Sequence, residues 1–74
     1  MIMTNSKTSY YLSTLAPKFK KKIEWIKGDV SNASEEEKKR VKSEIRGYLF
    51  ALEDACIITH TQYRCLYVYF TYDL

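Results

Sequence analysis

His60 is the one side chain suited to exchanging a proton near neutral pH. It lies four residues after Cys56, between the hydroxyls of Thr59 and Thr61. An imidazole beside a thiol can lower the thiol pKa and create a nucleophile. Such a pair also needs an oriented base, an oxyanion site and a cavity that excludes water. A chain of 74 residues with two glycines leaves little room for that pocket. His60 therefore reads as an exposed residue in the first turn of a capped helix, and no catalytic residue is assigned. Glu35, Glu36 and Glu37 read as helix-cap and dipole chemistry rather than a metal or acid/base cluster. Cys56 and Cys65, with a single His, do not complete a tetrahedral zinc site, so no metal and no cofactor is expected. The two cysteines could form one disulfide, but no hydrophobic signal segment precedes them, which favours packed, reduced thiols in a cytoplasmic protein.

Binding chemistry is better represented. Lys18, Lys20, Lys21 and Lys22 flank Phe19, with Trp25 one turn later, and Lys39, Lys42 and Arg46 form a second basic line. Lines of this kind can engage phosphates, which makes nucleic acid a possible partner. Base reading has thinner support, because only His60, Thr61, Gln62 and Arg64 stand where a recognition helix would expose its readers. The net charge of +3 hides a gradient: residues 1–28 carry +5, residues 29–46 carry none and residues 47–74 carry −2. Such a gradient steers an anionic partner or pairs two copies head to tail. Tyr67, Tyr69, Phe70 and Tyr72 cannot all face one core, since successive helical positions point about 100° apart. Trp25 lies about 60 to 100° off the buried stripe of its helix. It is either an edge of the core or an anchor in a partner's pocket. The candidate partner-binding residues are thus Trp25, Tyr67, Tyr69, Phe70 and Tyr72, and the candidate basic surface is Lys18, Lys20, Lys21, Lys22, Lys39, Lys42 and Arg46.

The elements that must position these residues are helical. Met1 to Lys7 show no periodicity and are expected to fray. Tyr11, Leu12, Leu15, Phe19, Ile23 and Ile26 recur at steps of three and four, predicting a first helix over about 8–28. Pro17 interrupts it, so the helix kinks there or restarts with Pro17 in its first turn. Gly28 ends it. Ser34 to Glu37 is a capping box opening a second helix over about 35–55, with Glu35–Lys39 and Glu36–Arg40 as i,i+4 pairs. Val41, Ile45, Tyr48, Leu49 and Leu52 form its buried stripe. Gly47 inside it predicts a closely approaching neighbour. Thr59 to Gln62 is a second capping box, starting a third helix over about 60–72. The rival for Tyr63 to Tyr72 is a strand, because Tyr, Val, Phe and Thr favour sheets. The expected architecture is a single all-α domain of three helices. No apolar run approaches the ~18 residues of a membrane span, so no membrane association is expected.

Leu49-x-x-Leu52-Glu-Asp-Ala-Cys-Ile-Ile-Thr59, followed by Gln62-Tyr63, resembles the turn of the SHOCT (short C-terminal) helical hairpin, where a pattern close to L-x-x-L-x-D-x-G-I-I-T-x-x-E-F joins two short helices. The likeness covers about fifteen residues. It implies a helix, a tight turn at the Gly position and a capped helix, with both isoleucines packed into the hairpin. Cys56 stands where the pattern has Gly, which puts the left-handed turn in question. SHOCT-like segments are regarded as association modules without catalytic residues. In size and style the chain also looks like the small helical proteins of phages and mobile elements, including inhibitors of host defence of the anti-CRISPR type.

A domain this small has a core worth about 3 to 5 kcal/mol, which association often supplements. The expected function is non-catalytic: a small protein-binding adaptor or inhibitor, with a homodimer through Leu66, Tyr67 and Phe70 as one solution to the surplus aromatics. The alternative is a small DNA- or RNA-binding regulator using the two basic lines.

Overall fold

The structure is a computed structural model that describes residues 6–74. Its four helices are α1 (Ser6–Thr14), α2 (Pro17–Lys27), α3 (Glu35–Asp54) and α4 (His60–Thr71). The all-α class is as expected, but the first of the three expected helices is two. The break has a local trigger. A residue before proline is driven out of the helical region, and Ala16 accordingly takes φ −58° and ψ 138°. Pro17 then opens α2 at a position where its missing N–H costs nothing. The expected fraying of residues 1–5 lies outside the described residues, and Lys7 is already helical.

Lys20 clasps the break. Its Nζ donates to the Leu12 carbonyl at 3.0 Å, satisfying one of the orphan acceptors at the end of α1. At the far end of α2, the Gly28 N–H closes on the Glu24 carbonyl at 2.9 Å. Gly28 itself adopts φ 59° and ψ −154°, a conformation essentially confined to glycine. Asp29 then accepts from both the amide and the hydroxyl of Ser31, turning the chain toward α3.

Ser34 caps α3 by accepting from the Glu37 N–H at 3.2 Å. The return bond of the expected box is replaced, because the Glu37 carboxylate accepts from the Ser34 hydroxyl at 3.4 Å instead. The expected Glu36–Arg40 pairing is also replaced: Arg40 turns forward to Glu44 at 3.5 Å. Neither Glu35 nor Lys39 is in an ion pair among the described residues.

The α3–α4 connection is a Schellman turn. The Cys56 N–H donates to the Glu53 carbonyl and the Ile57 N–H to the Leu52 carbonyl, both at 2.9 Å. Cys56 takes the left-handed conformation, φ 61°, where glycine is usual. Only the second isoleucine, Ile58, packs into the core; Ile57 is exposed. The complete capping box at Thr59 and Gln62 then launches α4, so the strand alternative for Tyr63 to Tyr72 is replaced by helix.

The antiparallel α3–α4 hairpin is the spine, with α2 packed on α3 and α1 packed on α4. Ile23, Ile45, Leu49 and Leu66 are its fully enclosed side chains. Gly47 meets no approaching neighbour; a Cβ built there would find nothing within 4 Å, so the expected close approach is absent.

Candidate interaction surfaces

The polar partner of His60 is Glu53 rather than Cys56. The His60 Nδ1 lies 3.2 Å from Glu53 Oε1, and its ring tilts against Tyr63. Cys56 and Cys65 are free thiols, Cys56 exposed in the turn and Cys65 half-buried on α4. Among the described residues, no cluster of three or more His, Cys, Asp or Glu side chains could hold a metal ion, and no helix is long and apolar enough to cross a membrane.

The first surface is the outer face of α2. Ile23 is fully enclosed, and two residues of helical rotation, about 200°, carry Trp25 to the opposite side. Trp25 is 74% exposed, so its reading as an edge of the core is replaced by a side chain the core does not use. Lys22 lies with its Nζ 4.3 Å from the indole, a cation–π contact that restrains the ring. Lys18 and Lys21 fall on the same outer side by helical rotation, and Lys18 also reaches over Phe19. Lys20 leaves this basic surface, because its ammonium is spent on Leu12.

The second region surrounds the end of α4. Phe70 is only 7% exposed and packs edge-on against Tyr69, so it belongs to the core rather than to a docking surface. Leu66 is fully enclosed, so of the three residues expected at a dimer contact Tyr67 alone is partly exposed. Tyr69 and Phe70 form one wall of a shallow groove of about 300 Å³, facing Leu12, Pro17, Lys20, Lys21 and Glu24. Tyr72 is 55% exposed with Lys27 above its ring, and the same Lys27 binds Asp73 at 2.7 Å. That bond, helped by the positive fields of Lys27 and Lys38, holds the Asp73 carboxyl below its ordinary range against a smaller upward push from burial. Lys27 lies about 200° from Trp25 around α2, so Trp25 and Tyr72 do not share one surface.

The third surface is the outer seam of the α3–α4 hairpin. Phe50, 43% exposed, stacks on Tyr63 with centroids 4.6 Å apart and planes 21° apart. Tyr63 stacks in turn on Tyr67 at 6.1 Å and 27°. Lys39, Lys42 and Arg46 follow the same strip of α3 as Phe50 at steps of three and four. Because the helices run antiparallel and Phe50 meets Tyr63, Arg46 lies opposite Tyr67. The seam thus joins the second basic line to Tyr67, one of the candidate aromatics. Phe50 was missed by the sequence reading. Its signal was an aromatic outside the Val41, Ile45, Leu49 and Leu52 stripe, one turn beyond Arg46.

Comparison of the chain with protein-family models, with curated proteins and with solved structures finds no match.

Proposed function

We propose that the chain is a non-catalytic protein-binding module that docks through the outer face of α2, with Trp25 as the anchor and Lys18, Lys21 and Lys22 recognising an acidic rim. The observation that carries this reading is the exposure of Trp25 on the side of α2 opposite Ile23, with its ring restrained by Lys22. A large, half-polar ring that is already positioned loses little entropy on burial, and such residues dominate binding energy at interfaces. The surrounding lysines steer an acidic partner and add to the rate of encounter. Covering a partner's surface in this way suits an adaptor or an inhibitor of host nucleic-acid or defence machinery, of the kind phages and mobile elements carry.

The test is affinity capture from host lysate with wild type, Trp25→Ala and Tyr72→Ala, each split into nuclease-treated and untreated halves. The expected result is a protein partner that survives nuclease, is retained by Tyr72→Ala and is weakened by about thirtyfold or more in Trp25→Ala, the size of an interface hot spot. Undiminished capture by a folded Trp25→Ala variant would reject this docking face.

A further inference from the structure

We infer that the outer seam of the α3–α4 hairpin binds single-stranded nucleic acid, with Lys39, Lys42 and Arg46 taking the backbone phosphates and Phe50 and Tyr67 receiving bases. Two independent features meet on this seam. The first is unused positive charge. Among the described residues the lysine and arginine ion pairs are Lys27–Asp73 and Arg40–Glu44, so none of the three cations has a carboxylate partner. At 1.5 Å of rise per residue, they span about 10 Å of α3. Glu53, one turn beyond Phe50, lies 3.2 Å from the His60 ring nitrogen.

The second feature is the near-parallel stack of Phe50, Tyr63 and Tyr67 across the same seam. Tyr63 is buried in the middle, while Phe50 stands 43% exposed. Each ring is held by its neighbour, so a nucleobase laid on Phe50 extends an ordered stack without first ordering a loose side chain. Base stacking on aromatics is tolerant of sequence, and cations tracking the backbone complete the usual platform for single strands. Duplex bases are already stacked on each other and cannot use the rings, which selects an unpaired strand. The short side chains at Ser43 and Gly47 leave the outer surface of α3 low beside Arg46.

The experiment is fluorescence anisotropy with a labelled oligothymidylate of about fifteen nucleotides, the upper end of a single-domain site, across about 50 to 200 mM salt. Duplex of the same length and polyglutamate serve as competitors. Lys42→Ala with Arg46→Ala should weaken binding at least tenfold and reduce the slope of log affinity against log salt by about 1.4, two single-strand phosphate contacts. Phe50→Ala should weaken binding by about fivefold or more with the slope unchanged. Phe50→Leu retains apolar volume and should show the same loss, which separates stacking from folding. Trp25→Ala, on the opposite side of α2 from the core, should bind as wild type. No binding at low salt, equal competition by duplex, or an unaffected Phe50→Leu would overturn the inference, and equal competition by polyglutamate would assign the seam to an acidic protein instead.

Discussion

Three positions show how unevenly backbone freedom is distributed in this chain. Gly28 occupies a conformation that a side chain strains, so Gly28→Ala should destabilise the fold by more than about 1 kcal/mol. Gly47 is the reverse, a helix-interior glycine on an open face. Gly47→Ala should raise stability by about 0.5 to 1 kcal/mol. Cys56 holds the left-handed position of the Schellman turn without being glycine. Cys56→Gly should therefore stabilise by up to about 1 kcal/mol, and Cys56→Val, branched at Cβ, should destabilise. Urea unfolding of the four variants checks all of these together. If the gain at Gly47 is absent, an unseen demand on its small size must exist in the folded state.

At the scale of elements, the caps determine where the helices begin. Ser34→Ala should cost about 1 kcal/mol and Thr59→Ala somewhat more, since Thr59 and Gln62 satisfy each other's amides reciprocally; thermal melts of the two variants give the comparison. These starts were legible in sequence because a cap is a contact between residues three apart. The stripe of α3 was legible for the same reason, a period set by one helix alone. Pro17 declared a break but left kink and restart open, because the choice depends on whether α1 and α2 find different partners, a tertiary fact. They do: α1 packs on α4 and α2 on α3. The candidate site was less legible. Residue type alone does not distinguish Phe70, which the core absorbs, from Tyr72, which it leaves exposed. Nor could spacing reveal that Lys20 would turn back to Leu12, or that Phe50 would meet Tyr63 across the hairpin.

At the scale of the whole molecule, Lys27–Asp73 joins the end of α2 to the end of the chain. Asp73 has a lower pKa folded than unfolded, so its contribution is fully present above the unfolded value, about pH 4, and is lost as pH falls through the folded value. With the Asp73 side chain 41% exposed, screening by water keeps the pair below about 1 kcal/mol. Asp73→Asn should lower the melting temperature slightly at pH 7, the difference should fade as pH falls through the lowered Asp73 value, and added salt should shrink it. The packing order carries a further consequence for time rather than for structure. The α3–α4 hairpin forms from neighbouring segments and α2 joins it through the next connection, but α1 must reach across the chain to α4. Contacts that close the longest loop form late and open early. Among the described residues α1 is held by the Lys20 clasp and the short stretch from Thr8 to Leu15, and it should open as a unit while the hairpin stays shut. Its amides should therefore exchange with deuterated water well before those of α3, through openings that never unfold the whole protein.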